Sequence, residues 1–233
     1  MTKVVKPVDA AGLVLIRGGA KGEPEILLGR RHGKAGFLPD IYVVPGGRVD
    51  AADHAASGFA EALHPAVSAS LASGGSRRPP LAFPRAALRE TLEETGLLVG
   101  QPGAAEAVAD LPPKVAPIWQ AYRAAGLAPD FGALDFICRA ITPVTSHRRY
   151  NTRFFLGDGS KAAGSVLSNG ELEDLAWRPV SALGSLNIVD VTEYVLKEAL
   201  RRWQARFPAG AEPPKLLNYR NDIMTLSRHR MRA

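Results

Sequence analysis

Arg89-Glu90-Thr91-Leu92-Glu93-Glu94-Thr95-Gly96-Leu97 is the stretch on which the reading of this chain turns. Pro84 suits a first helical turn, Ala86, Ala87, Leu88 and Leu92 favour helix, and Gly96 is placed to stop it. The spacing predicts a helix over 84–94. Residues four apart share a helix face, so Glu90 and Glu94 project side by side, with Glu93 at the edge of that face. Carboxylates crowded into about one turn repel unless a cation neutralises them. No Lys stands four places after Glu90 or Glu94; Glu94 and Leu98 occupy those positions. Hard oxygen donors suit a divalent ion such as Mg²⁺. Arg89, four residues before Glu93, is placed to pair with it and fix one carboxylate. A solvated charged helix face is the bland alternative.

Working outward from this helix, Ala11–Arg17 reads as a buried strand, a Gly/Pro turn follows, and Glu25–Arg30 completes a hairpin. Ile41-Tyr42-Val43-Val44 gives a short strand that Pro45-Gly46-Gly47 is expected to end. Residues 50–82 are rich in Ala, Ser, Gly and Pro and read as an insertion, mobile at its tip, with one or two short helices between Ala51 and Leu71. Downstream, the pattern predicts a helix over 118–125, strands over 135–141, 152–156 and 174–177, and an amphipathic helix over 191–207. Residues 100–114 carry little pattern, and a basic tail runs over about 208–233, partly ordered by docking. Strands, helix, strands, helix in that order imply an α/β chain with a mixed sheet and helices on both faces. A length of 233 residues suits one domain over 1–233.

Composition excludes several classes. No apolar run approaches the roughly 20 residues a membrane helix needs. The N-terminus, with Met1, Lys3 and Lys6, enters a strand-like stretch with no signal-peptide pattern, so a cytoplasmic protein is expected. One cysteine, Cys138, rules out an internal disulfide framework and reads as a core residue. The net charge of +6 favours anionic partners, and five basic residues, Lys215, Arg220, Arg228, Arg230 and Arg232, face Asp222 alone in the last 19 positions. A solvated positive surface accounts for the same charge.

The stretch 89–97 resembles the second half of the Nudix box, R-E-U-x-E-E-x-G-U with U apolar; Thr91 fills its U place weakly. Gly46-Gly47 looks like the glycine pair that opens the box. The usual box reads G-x5-E-x7-R, with 13 residues from glycine to arginine; here 41 residues, 48–88, intervene. Counted back from Arg89, the mid-box Glu falls at Leu81; Asp50, Asp53 and Glu61 are the candidates to replace it. This split box, with Phe37–Gly47, Arg148–Phe155 and Gly170–Trp177, resembles the branch of Nudix hydrolases that includes peroxisomal acyl-coenzyme A diphosphatases of animals and their bacterial relatives. The resemblance covers about residues 8–205, although Met231-Arg232-Ala233 is not a peroxisomal Ser-Lys-Leu address.

That resemblance implies a Nudix fold, an α/β/α sandwich around a mixed β-sheet, with a helical and loop insertion inside the box. It also implies metal-dependent cleavage of a nucleoside diphosphate linked to another group. Mg²⁺ or Mn²⁺ would be held by Glu90, Glu93 and Glu94 and by the Gly46 carbonyl, with Glu93 a further ligand or the acid–base group and Arg89 orienting it. Glu171 and Glu173 are candidate general bases. Arg148, Arg149 and Arg153 are the candidate phosphate-holding group; on a strand Arg149 and Arg153 share a face and Arg148 points away. His147 is a weaker candidate, and Tyr42 and Tyr150 are candidates to stack on a base. Coenzyme A or acyl-coenzyme A is the implied substrate. ADP-ribose, NADH, a nucleotide sugar or a dinucleoside polyphosphate are the enzymatic alternatives, and a non-catalytic nucleotide- or RNA-binding module is a different class. Nucleic acid fits poorly, because no aromatic residues interleave the basic ones. A homodimer is a further expectation, with the insertion as partner surface or substrate lid.

Overall fold

A computed structural model of the protein describes residues 5–105, 111–220 and 223–229. Met1, Lys3, Asp222, Arg230, Arg232, the terminal Met231-Arg232-Ala233 and part of the pattern-poor stretch 100–114 lie outside the described residues.

Strands β1 (Val8–Gly18) and β2 (Pro24–Arg31) form the hairpin, and short strands β3 (Tyr42–Val43) and β4 (Gly46–Arg48) follow. Helix α1 (Pro65–Ala72) lies in the insertion and α2 (Ala82–Thr95) carries the glutamates. Then come β5 (Leu98–Pro102), α3 (Ala116–Ala124), β6 (Leu127–Pro129), β7 (Asp135–Ile141), β8 (Tyr150–Asp158), β9 (Ala162–Ala163), β10 (Leu172–Pro179), α4 (Asp190–Gln204), β11 (Lys215–Arg220) and β12 (Ile223–Arg228). The main sheet runs β10-β2-β1-β8-β7-β11-β12, with β3 on β2 and β4 on β1. It is mixed: β1 pairs with β8, and β7 with β11, in parallel. The rest of its ladders are antiparallel.

Alternation along β1 builds a core on each face. Ala11, Leu13 and Leu15 pack with α1, α2 and α3 residues such as Val67, Phe83, Leu88 and Trp119. Val14 and Ile16 pack with Val195, Leu196 and Ala199 of α4. The result is the α/β/α sandwich expected from the sequence. Cys138 is wholly buried, and burial pushes its thiol well above the ordinary range, as suits a core residue. Among the described residues, no helix is long and apolar enough to cross a membrane.

Three expectations are modified. Pro45-Gly46-Gly47 ends the short strand as expected, but pairing resumes at once in a new strand: Gly46 and Gly47 pair with Gly12 and Ala11 of β1. Proline breaks the ladder to β2, and the glycines let the chain pass onto β1: a Cβ on Gly46 would lie 2.5 Å from the Ala11 carbonyl oxygen. Next, the tip of the insertion is pinned to the sheet, with Ser76 Oγ donating to Asp9 (2.7 Å) and the Gly74 carbonyl accepting from Arg153 (3.3 Å). Finally, part of the basic tail forms the hairpin β11–β12, which extends the sheet beside β7. Alternation in Leu217-Asn218-Tyr219 and Met224-Thr225-Leu226, separated by the turn-type pair Asn221-Asp222, carried that signal beneath the charge.

Candidate active site

The last two turns of α2 face β4. Gly96 adopts φ 72° and its N–H caps the helix on the Leu92 carbonyl, which fixes where the helix stops behind Glu93 and Glu94. Arg89 is buried (1% exposed) and serves as the hub. Its Nε and Nη2 donate to the two oxygens of Asp53 at 2.9 and 3.0 Å. Its Nη1 donates to Glu90 at 2.8 Å and Glu93 at 3.0 Å, and Nη2 also reaches the Arg48 carbonyl at 3.0 Å. Burial pulls against this charge, but Asp53, Glu90 and Glu93 more than offset it, so the guanidinium stays protonated. Asp53 therefore takes the place beside Arg89. Counted forward from Gly47, five residues, 48–52, separate it from Asp53, where G-x5-E places the mid-box acid. The insertion thus falls after this acid, a register that counting back from Arg89 conceals. Glu61 instead ion-pairs with Arg85, and Asp50 with Lys114 (2.7 Å).

Glu94 is 5% exposed, and its Oε2 accepts from the Gly46 N–H at 2.8 Å. Burial pushes it up to about 8; the Gly46 N–H and Arg31 pull against this, and Glu90 and Glu171 add to it. Glu90 is raised as well, first by burial, against the pull of Arg89. Both therefore lack sufficient counter-charge. Among the described residues, no three Asp, Glu, His or Cys side chains already stand as a metal cage, because Glu90 and Glu93 are drawn onto Arg89. The donor set still fits a hard divalent cation: it is all carboxylate, crowded and under-neutralised.

Gly47 makes room for this arrangement, since a Cβ there would lie within 2.5 Å of the Glu90 carboxylate oxygens. Gly47→Ala is expected to retain the fold, displace Glu90 and weaken Mn²⁺ binding about 10- to 100-fold. Titration calorimetry with Mn²⁺ checks this; unchanged affinity in a folded variant would remove Glu90 from the ligand set.

The carboxylates open into a cavity of about 880 Å³. Arg31, Glu171, Gly46, Gly47, Glu93 and Glu94 line the catalytic end. Phe37, Ile41, Ile141, Val189 and Val191, with Tyr150 and Tyr219, line an apolar limb. Gly12 keeps the floor open, because a Cβ there would press on Phe154 (3.1 Å) and Val44 (3.4 Å).

The predicted basic trio does not converge here. Arg153 projects from the opposite face of β8: it is 0% exposed, paired with Asp9 at 2.6 Å and stacked over Phe83 at 4.1 Å. Burial lowers it to about 10 despite Asp9. Arg149 is buried and donates to the carbonyls of Thr142 and Val5. Neither is free to hold a phosphate, so both are corrected to structural roles. Arg148 is exposed and lies over Gly36, beside the edge-on Phe37–Tyr150 pair. His147 is exposed and does not line the cavity. Tyr42 is tied to Asp174 beneath Arg178 and stays outside the cavity, which removes it as a stacking candidate. Glu173 is committed to Arg30 (2.5 Å) and also faces His32 (3.6 Å), leaving Glu171 as the carboxylate that faces Glu94. Arg31 is the cation the sequence reading passed over; it lines the cavity, and among the described residues its buried Nε has no hydrogen-bond partner.

No family model matches the chain. It is 30% identical, over an alignment of 204 residues, to an acyl-coenzyme A diphosphatase of Gallus gallus, covering 63% of this chain and 54% of that protein. The chain thus spans about half the length of that curated relative. It also resembles the crystal structure of a Nudix hydrolase from Alicyclobacillus acidocaldarius, with TM-score 0.66 and 30% identity, covering 89% of this chain and 99% of that one.

Proposed function

The chain belongs to the Nudix hydrolase family, and on that premise we propose that it hydrolyses the diphosphate of coenzyme A or its acyl esters to 3′,5′-ADP and a phosphopantetheine product. One observation carries the substrate reading: a single cavity joins the glutamates of α2 to an apolar limb. A nucleoside diphosphate with an apolar arm matches both ends, and the name of the Gallus gallus relative points the same way.

In this reading Glu90, Glu93 and Glu94, with Gly46, hold Mg²⁺ or Mn²⁺. A cation bound there would supply charge to offset the diphosphate and to make a water more acidic. Arg89 holds Glu90 and Glu93 in place and is itself held by Asp53. Arg31 holds the diphosphate oxygens. Glu171 accepts the proton of the attacking water; the water oxygen joins one phosphorus, and the bridging oxygen leaves with the other phosphate as an anion.

The test is a panel of acyl-coenzyme A, coenzyme A, ADP-ribose, NADH and diadenosine polyphosphates with Mg²⁺ or Mn²⁺, with products identified by chromatography. Chelator-sensitive release of 3′,5′-ADP from the coenzymes is the expected result. Cleavage of ADP-ribose or NADH in their place overturns the substrate and keeps the chemistry. No turnover of any panel member by the folded, metal-supplied protein overturns the enzymatic reading.

A further inference from the structure

We infer that Arg48, Arg78 and Lys114 form a rim that reads a phosphomonoester on the nucleoside end of the substrate, separate from the diphosphate that is cut. This rests on the coenzyme A reading above. The three cations line one side of the cavity mouth, and they come from unconnected places. Arg48 ends β4, directly after Gly47. Arg78 stands where the insertion returns towards α2, and Lys114 precedes α3. Asp50 is the acid between them: its Oδ1 accepts from the Ala52 N–H (2.9 Å) and its Oδ2 from Lys114 Nζ (2.7 Å). An ammonium has three donors, so Asp50 holds Lys114 at the mouth and leaves two of them open. Arg78 Nη1 is fixed by the Asp50 carbonyl (3.2 Å) and by His54 (3.0 Å), and its Nε faces Asp9 at 3.7 Å. Arg48 is exposed and makes no side-chain hydrogen bond or ion pair among the described residues.

The diphosphate itself is met by Arg31 and the glutamate cluster, which line the same cavity. Three cations against two carboxylates, Asp50 and Asp9, of which Asp9 is also paired with Arg153, leave net positive charge beyond what the scissile group requires. A phosphomonoester, nearly dianionic at neutral pH, matches that excess in charge and in its number of acceptor oxygens. The insertion that splits the box thereby acquires a role, because it brings Arg78 to the mouth and shapes the loop that carries Asp50. The apolar limb, on the α4 side, is left for the rest of the molecule, so the two ends fix which way the substrate lies across the carboxylates.

The experiment compares kcat/KM for coenzyme A with that for dephospho-coenzyme A, which lacks the 3′-phosphate. Lys114 and Arg48 are exposed, so Lys114→Glu and Arg48→Gln are the variants, and Lys197→Gln on the outer face of α4 controls for loss of positive charge alone. The wild type is expected to prefer coenzyme A, Lys114→Glu and Arg48→Gln to lower that ratio about 10- to 100-fold, and Lys197→Gln to preserve it. Equal use of the two coenzymes by the wild type, or an unchanged ratio in both rim variants, overturns the rim while leaving the substrate reading intact. Cleavage of ADP-ribose with neither coenzyme turned over overturns both.

Discussion

Glu94→Gln is expected to lower turnover by about 10²- to 10⁴-fold while preserving the fold, because an amide oxygen still accepts from the Gly46 N–H but carries no charge. The same substitution has a signature that does not depend on knowing the substrate. Burial pushes Glu94 up to about 8 without a cation. Between the pKa of the unfolded chain and that value, the folded protein holds a proton the unfolded chain has lost. Metal-free stability therefore falls as pH rises from about 5 to 8, with a limiting slope of about 1.4 kcal/mol per pH unit. At about 2–4 °C per kcal/mol for a chain of this size, that is roughly 3–6 °C per unit at the steepest point. Glu94→Gln lacks this term, so it is expected to melt above the wild type near pH 8. Mn²⁺ is expected to stabilise the wild type most at high pH, where it binds the ionised carboxylates, and to do little for the variant. Parallel melting curves for the two proteins from pH 5 to 8 would show that Glu94 is ionised without a cation, and the metal assignment would lose its main support.

Arg89→Ala is expected to destabilise the protein by about 3–5 kcal/mol, since it strands buried charge. The side chain of Asp53 is 0% exposed and that of Glu90 15% exposed, and both lose their charge partner. Arg89→Lys keeps the charge and loses the fork; one ammonium cannot make the two parallel bonds to Asp53 while also reaching Glu90 and Glu93. It is expected to fold with an intermediate loss of stability and a large loss of turnover. Adding Asp53→Ala to Arg89→Ala is expected to recover part of the stability, since the stranded carboxylate is gone, and none of the activity. Thermal melts and turnover of these three variants and of Asp53→Ala alone separate the two effects. Strict additivity of the two alanine substitutions would deny the Arg89–Asp53 pair its role.

The helix that carries the glutamates was legible because its signals are local: i, i+4 spacing, an N-terminal proline and a terminal glycine need no knowledge of the rest of the chain. The choice among the arginines was not. Both faces of β8 are covered, one by α2 and the other by the cavity and α4, so alternation says that Arg153 and Phe154 diverge without saying which meets the substrate. Packing decides it: Arg153 stacks on Phe83, and Phe154 lines the cavity. Arg31 sat next to Arg30 in an ordinary strand, and only the pairing of Arg30 with Asp40 and Glu173 separates their roles. Asp53 was within reach of counting but depended on which end of the box the count began. Glu171 and Glu173 were indistinguishable until Glu173 was found committed to Arg30.

The insertion between Asp53 and Arg89 also bears on how the site assembles. Drawing the two halves of the box together closes a loop through a span of 41 residues, 48–88, where the usual box has 13. Loop-closure entropy grows only logarithmically, so the longer span adds about 1 kcal/mol to the cost of assembly. Two ion pairs shielded from solvent, Arg89–Asp53 and Arg85–Glu61, clasp the insertion to α2 from within. A long excursion of the chain is thus compatible with tight spacing at the chemistry, since polymer statistics charge little for length and the clasps restore the geometry.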